Sequence, residues 1–281
     1  GSMNIIAISN HIGAFRPGSG YLLDSYPGAA AAYSLRSLSR DTTNVVRVQR
    51  YSDSQQEDFT AQEILDGELE TWVGAGVRGD VVTWYDQSGN SNHATATTQF
   101  SPIIVDNGVQ VQVGGIPMVD FTLAGYKRLT ISSPVAYANA EYTFFGNGTQ
   151  ESDVNNKEIF LSGFTGAFEF GFQVVGSEKR IFADRRSQAF LGNLALPANG
   201  LRYYAVACMV NQTQPQFSAN TAQGVGTSAG SFTNAVAYIG GGPTSSGDFQ
   251  GKMGDWILYD TDRWTSQPAI QANINNYYSI Y

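Results

Sequence analysis

The chain has 281 residues, of which 42% are hydrophobic and 12% aromatic, enough for one sizeable core. Acidic residues outnumber basic ones by 24 to 16, and a net charge of −8 disfavours nucleic acid and anionic membrane surfaces as partners. No apolar run reaches the roughly 18 residues that a membrane span needs, and the 31 glycines indicate many turns. We therefore expect one domain over residues 1–281, without membrane insertion.

The first residues were compared with the pattern of a signal peptide. Gly1 and Ser2 precede Met3 and have the look of a cloning remnant, which makes Met3 the expected native start. Residues 4–10 are too short for a signal peptide and lack its basic flank, so we expect no cleavable signal peptide.

Helical patterns occur near the N-terminus and at the C-terminus. Good helix formers predict a short helix over residues 29–38, and apolar residues at helical spacing predict another over 61–73. Gly67 weakens the second prediction. A third helix, over residues 268–278, is expected to dock through Ile270 and Ile274.

A hairpin is predicted where Asp106-Asn107-Gly108 separates two valine-rich runs, because Asn-Gly tolerates the positive φ angles of a tight turn. After the turn, Val109, Val111 and Val113 are expected to face the core. Gln110 and Gln112 are expected to face water.

The rest of the chain reads as short strands separated by turns. Those predicted from β-branched and aromatic residues are 45–51, 81–85, 118–121, 129–131, 142–145, 159–161, 168–174, 180–183, 203–210, 216–218, 235–239 and 255–259. Their number and spacing predict an all-β fold, an antiparallel β-sandwich of concanavalin-like jelly-roll type with two or three short helices. Strand 81–85 is expected to be central and 255–259 buried. A mixed α+β chain divided near Ser132 is the alternative.

Strand 81–85 runs into a polar loop in which Asp, Ser and Asn can bond the amides of their own turn and Gly89 can take a positive φ. We interpret this loop as a structural corner, with a ligand site as the alternative. It consists of Trp84, Tyr85, Asp86, Gln87, Ser88, Gly89, Asn90, Asn92 and His93. His93 is expected to donate to a loop carbonyl.

The corner sequence resembles the Tyr-Asp-Gln-Ser-Gly-Asn-Gly-Asn-His segment of the β-sandwich domain of family 54 α-L-arabinofuranosidases. It is also similar to laminin-G-like, concanavalin-like modules of bacterial surface and phage virion proteins. The similarity extends to residues 32–36, 46–53, 249–259 and 274–278, and it is thin between 132 and 235.

The resemblance implies a scaffold without the family's catalytic groups. In the family an acid Asp follows an Ile-Gly-Gly, whereas here Gly242 takes that position after Ile239-Gly240-Gly241. The family also uses an adjacent cysteine pair and an Asn-Ala-Glu nucleophile. This chain has only Cys208, and no equivalent glutamate can be placed around residues 164–167.

The sequence disfavours a catalytic zinc site and a Ser-His-Asp triad. His11 and His93 are its only histidines, and it contains no helical His pair and no Gly-x-Ser-x-Gly motif. Calcium is the one candidate cofactor, since concanavalin-like sandwiches often hold it. The candidate ligands by residue type are Asp86, Asp106, Asp120 and Asp153, with turn and cap roles as the alternative.

Sugar rings stack on aromatic faces while polar groups fix their hydroxyls, which makes loop aromatics the remaining candidates. The candidate carbohydrate-binding residues are Tyr126, Tyr137, Tyr142, Trp264 and Asp248.

Two functions from different classes follow. The first is a non-catalytic virion or cell-surface protein, structural or adhesive, that recognises host carbohydrate and assembles with other virion subunits or as a homo-oligomer. The second is an arabinofuranosidase-like glycoside hydrolase with rearranged carboxylates, which needs two carboxyl groups across a cleft.

Overall fold

The computed structural model describes residues 20–281 except 138–140, 154–156, 164–167, 186–188, 212, 228–233 and 243–246. In that part of the chain, the strands are β1 (Ala31–Tyr33), β2 (Asn44–Arg50), β3 (Gln56–Thr60), β4 (Gly79–Trp84), β5 (Ala94–Thr95), β6 (Ile103–Asp106), β7 (Val109–Gln110), β8 (Gln112–Val113), β9 (Ile116–Pro117), β10 (Val119–Asp120), β11 (Leu129–Tyr137), β12 (Tyr142–Thr149), β13 (Lys157–Ser162), β14 (Phe168–Val175), β15 (Glu178–Arg185), β16 (Ala189–Ala195), β17 (Tyr203–Val210), β18 (Gln216–Ala219), β19 (Ala222–Val225), β20 (Asn234–Ile239) and β21 (Lys252–Tyr259). The helices are α1 (Leu22–Ser25), α2 (Ala61–Leu65), α3 (Glu68–Val73) and α4 (Gln267–Tyr278), preceded by a 3-10 turn at Trp264–Ser266.

The strands pair antiparallel into two packed layers of an all-β, jelly-roll-type fold. One layer runs β19–β18–β17–β12–β21 and continues through β1 and β10. The other runs β5–β11–β20–β13–β14–β15–β16. Strand β4 links them, because it pairs with β2 on one side and with β5 and β6 on the other, as its predicted central position requires.

Alternation along the strands divides the buried residues between two cores. Phe144, Trp256 and the predicted aromatic row of β14 lie in the core between the layers. Their neighbours Phe145 and Ile257 point the other way and pack with α4 in a second core. The predicted burial of 255–259 and the predicted C-terminal helix are both confirmed.

The helix predicted over residues 29–38 is wrong. Residues 31–33 instead form β1, which pairs with β21 through Ala31 opposite Leu258 and Tyr33 opposite Trp256. Because all three β1 residues are fully buried, tertiary packing overrides the helix propensity of the alanines.

The helix predicted over 61–73 exists as two pieces, α2 and α3. A capping box between Thr60 and Glu63 starts α2, and Gly67 with φ of 81° separates the two helices. The glycine that weakened the sequence pattern is therefore the point where the helix breaks.

The predicted hairpin forms, and Val111 is buried and Gln112 exposed as predicted, but the two residues directly after the turn face the other way. Asn107 and Gly108 take the expected positive φ angles of 51° and 80°. Val109 is 64% exposed, however, whereas Gln110 is 7% exposed and donates to the carbonyls of Ile104 and Val111. Period-two alternation fails because β7 ends after two residues.

The α+β alternative is wrong as well, since Ser132 lies inside β11 of a continuous antiparallel arrangement. No helix in the described part of the chain is both long and apolar enough to cross a membrane.

Candidate functional site

Asp86 organises the polar corner after β4. Its Oδ1 accepts hydrogen bonds from the amides of Ala32 (2.8 Å) and Ser88 (2.9 Å). Its Oδ2 accepts from the Ser88 hydroxyl (2.7 Å) and the Asn92 amide (2.9 Å). The carboxylate is buried and both oxygens are engaged by protein donors, so the corner holds its own shape.

The other polar side chains of the corner bind the segment around β1. Gln87 accepts from the Leu38 amide and donates to the carbonyls of Ser34 and Arg36. Asn90 and Asn92 both donate to the Ala30 carbonyl, and Asn90 also reaches that of Ala29. These bonds tie the loop after β4 to the segment around β1.

Two contacts fix the His93 ring, and its predicted donation to a loop carbonyl stays a prediction. Its Nδ1 accepts a hydrogen bond from the Asp86 amide at 3.1 Å. Its ring packs edge-on against Tyr85, which in turn donates to Asp58. The tight turn after β4 directs the Asp86 N–H at the imidazole.

A buried ion pair links the segment after β1 to β21 and α4. The guanidinium of Arg36 donates to Asp255 through Nε (3.1 Å) and Nη2 (2.7 Å). Ser34 and Tyr278 also donate to this fully buried carboxylate. Three segments that carry the family resemblance, 32–36, 249–259 and 274–278, therefore meet in one hydrogen-bonded network.

The four candidate calcium ligands lie apart. Asp86 is engaged as described, and Asp120 accepts from the amide and hydroxyl of Thr122. Asp153 pairs with Lys179 and Arg202, and Asp106 lies at the hairpin turn. No three His, Cys, Asp or Glu side chains converge on a possible metal position among the described residues.

Two of the candidate carbohydrate-binding residues, Tyr126 and Asp248, lie together beside Arg128. The guanidinium carbon of Arg128 lies 4.7 to 5.4 Å from the ring centroids of Tyr238, Tyr126 and Phe100. Arg128 Nη1 also donates to the Tyr126 hydroxyl (3.0 Å) and to the Gly242 carbonyl (2.8 Å). We call these five residues, Phe100, Tyr126, Arg128, Tyr238 and Asp248, the Arg128 cluster. All five are half-buried.

Asp248 supplies the carboxylate of the Arg128 cluster. Burial raises its pKa to about 6, although the nearby charge of Arg128 lowers it. Its Oδ1 is buried and has no hydrogen-bond partner within the described protein. A buried carboxylate oxygen without a donor disfavours the ionised form, which agrees with the raised pKa of this residue.

A row of polar residues runs from the Arg128 cluster across one sheet face. Tyr238, Ser162, Glu169 and Asp184 occupy directly opposed positions on β20, β13, β14 and β15, and opposed residues share a face. Lys157 pairs with both acids. Burial lowers the pKa of Lys157, but Asp184 and Glu169 outweigh that effect and raise it.

The remaining candidates lie elsewhere. Tyr142 is fully buried between Phe144 and Phe168, which corrects the expectation that it meets a sugar. Its strand lies between β17 and β21, and its ring belongs to the core between the two layers. Trp264 is half-buried against the α4 core, and Tyr137 ends β11, where its side chain lies outside the described part.

Phe100, Arg128 and Tyr238 are site residues that the sequence analysis missed. Arg128 and Gly242 are 114 positions apart and meet only because β11 pairs with β20. A local signal existed in the run Tyr126-Lys127-Arg128 just before a strand, but nothing local indicates which rings surround the arginine.

The fold is similar to that of solved arabinofuranosidases. A glutamate-to-glutamine mutant of a family 54 α-L-arabinofuranosidase, soaked with 4-nitrophenyl α-L-arabinofuranoside, superposes with a TM-score of 0.73 at 14% identity. An arabinofuranosidase complexed with arabinofuranosyl-α-1,2-xylobiose gives a TM-score of 0.67 at 16% identity. Both matches cover 92% of this chain and 64% of the other, so this chain spans somewhat less than two thirds of those proteins. At these identities the likeness establishes the β-sandwich fold.

No protein-family model matches the chain, and no curated protein matches it in sequence.

Proposed function

We propose that this protein is a carbohydrate-binding β-sandwich module whose ligand site is the Arg128 cluster. The observation that carries the proposal is the grouping of three half-buried aromatic rings around Arg128, with the unpartnered oxygen of Asp248 beside them. Aromatic faces receive the C–H face of a sugar ring, while Arg128 and Asp248 donate to and accept from its hydroxyls.

The charge of the molecule favours a neutral glycan. The net charge of −8 repels anionic polymers, and Asp248 lies close enough to Arg128 to offset its positive charge. A neutral, hydroxyl-rich ligand satisfies Asp248 without adding charge to the site.

The setting that we propose is a virion or cell surface, where the module acts in adhesion. This part of the proposal rests on the resemblance of residues 84–93 to modules of bacterial surface and phage virion proteins. In that setting the glycan belongs to the host, and other virion subunits or further copies of the chain are the assembly partners.

A glycan array tests the binding proposal. We expect the wild type to bind neutral glycans and Tyr126→Ala to weaken that binding about fivefold, because a ring contact is worth about 1 kcal/mol. The matched control is Tyr281→Ala, which removes a 50% exposed tyrosine at the C-terminus. Absence of glycan binding by the wild type, or equal binding by both variants, would contradict the proposal.

Glycoside hydrolysis is the second candidate function, and the raised pKa of Asp248 favours it. A pKa of about 6 suits a general acid. Glu169 is the candidate for the second carboxylate that hydrolysis needs, because it lies on the same sheet face as Tyr238. Against it, Gly242 offers no side chain where the arabinofuranosidase acid stands, and Lys157 neutralises Glu169.

The same preparation distinguishes the two functions. Incubated with 4-nitrophenyl α-L-arabinofuranoside, the protein is expected to release no more nitrophenol than a buffer control. If the wild type releases nitrophenol and Asp248→Asn lowers that rate by about 10²-fold or more, the protein belongs to the enzyme class. A loss of that size is the usual cost of removing a general acid.

A further inference from the structure

Tyr51 stands at the surface beside an open cleft on another part of the molecule. It follows β2 directly and is 58% exposed. The cleft has a volume of about 360 Å³, and Ser52, Arg78, Asp106 and Asn107 contribute to its walls. That volume is in the range of small-ligand sites.

The Tyr51 ring is held in place from one side. The guanidinium carbon of Arg78 lies 4.0 Å from the ring centroid. Arg78 is fixed in turn by Asp80, which accepts from its Nε at 2.8 Å and is 1% exposed. A stacked cation that is itself tied to a buried carboxylate leaves the ring little freedom, although more than half of the tyrosine remains open to solvent.

Backbone hydrogen bonds fix the loops around the cleft. The Tyr51 amide donates to the Arg78 carbonyl (3.0 Å), and the Gly108 amide donates to the Val77 carbonyl (2.7 Å). A Cβ at Gly108 would lie 2.6 Å from the Gly76 nitrogen, so only glycine permits the hairpin to approach this closely. A ligand would therefore meet a preformed surface and would bind with little ordering cost.

We propose that Tyr51, with Asp106 and Asn107 beside it, forms a second saccharide-binding subsite distinct from the Arg128 cluster. The charged side chains around the cleft favour a neutral ligand over an anionic one. Asp80 neutralises Arg78, and the exposed carboxylate of Asp106 repels anions, so a neutral sugar suits the cleft better than a uronic acid or a phosphate. Tyr51 offers a stacking face, and the Asp106 and Asn107 side chains can bond hydroxyls.

The subsite deepens the proposed function, on which its choice of a saccharide rests. Lys127, between Tyr126 and Arg128 in sequence, lies within electrostatic range of Arg78 and Asp80. The segment that carries Tyr126 and Arg128 therefore passes near Arg78, the residue stacked on Tyr51. Two sites on one module bind a polymer more tightly than either does alone, because the second contact becomes intramolecular.

Affinity electrophoresis of the whole protein tests the subsite. The probes are native gels containing arabinoxylan, arabinan, β-glucan or galactomannan, with polygalacturonate as the anionic comparison. We expect neutral polysaccharide to retard the wild type and Tyr51→Ala to weaken the apparent affinity about tenfold. Tyr51→Phe keeps the stacking ring and is expected to match the wild type, as is the exposed-tyrosine control Tyr281→Ala.

The outcomes separate the subsite from the Arg128 cluster. Loss of retardation in Tyr126→Ala but not in Tyr51→Ala overturns the subsite and leaves the proposed function standing. Loss in Tyr51→Ala alone supports the subsite and overturns the Arg128 cluster as the ligand site. Retardation by polygalacturonate alone, or by none of the gels, overturns the subsite and the neutral-glycan proposal together.

Discussion

At the scale of single residues, the acidic side chains of this protein divide by how their oxygens are satisfied. Asp86 and Asp255 are buried with several donors on each carboxylate, so they hold the fold. Asp248 is half-buried, and no described donor reaches its buried Oδ1. The distinction is one of environment, since the three residues have the same chemistry.

Asp86→Asn is expected to lower the free energy of unfolding by about 3 kcal/mol or more. The amide replaces one acceptor oxygen by a donor that faces the N–H and O–H groups now bonded to the carboxylate. Urea denaturation measures the loss. Asp106→Asn, at an exposed turn, is the control, and a loss in Asp86→Asn no larger than in the control would contradict the structural role.

At the scale of elements, α4 covers the face of β12 and β21 that points away from the core between the layers. Ile270 and Ile274 are fully buried on its inner side with Phe145 and Ile257 of β12 and β21. Propensity alone would leave a twelve-residue helix marginal, so its stability comes from this packing.

Ile274→Ala is expected to lower the free energy of unfolding by about 2–5 kcal/mol, because the removed methyl groups leave a cavity beneath the helix. The matched control is Asn276→Ala on the exposed side of the same helix. Thermal and urea unfolding of both variants check the expectation. An equally small effect in both would mean that α4 is not needed to cover the sheet.

The elements also show what sequence could predict. Strong alternation, as in β14, and tight turn chemistry, as at Asn107-Gly108, are local properties and were predicted correctly. β1 was missed because its small residues are extended only through pairing with β21. The Arg128 cluster depends on the β11–β20 register, so its members could be nominated singly, as Tyr126 and Asp248 were, but could not be assembled.

At the scale of the whole molecule, acidity affects stability as well as choice of ligand. The net charge is −8, and most of the acids remain at or near the surface. Glu158 is an exception, because it is buried on β13, where no described residue bonds one carboxylate oxygen and Gln150 donates to the other. The stability of the entire fold therefore depends on the protonation of this residue.

Burial raises the pKa of Glu158 to about 7, against the lowering effects of Gln150 and Arg202. A raised carboxyl pKa means that the folded state holds the proton more tightly than the unfolded state does. The associated stability is fully present below the unfolded value, near 4.5, and is lost as pH rises through about 7. Glu158→Gln, which stays neutral, removes this dependence.

We expect Glu158→Gln to stabilise the protein by about 2 kcal/mol more at about pH 8.5 than at about pH 5.5. The lower pH lies above the pI, which is near 4.7. Urea denaturation of wild type and variant at both pH values measures the difference. Glu141→Gln, at an exposed position, is the control and should show no such dependence. If Glu158→Gln changed the free energy of unfolding equally at the two pH values, Glu158 would be ionised in the folded protein at both, and its burial would carry no pH-dependent cost.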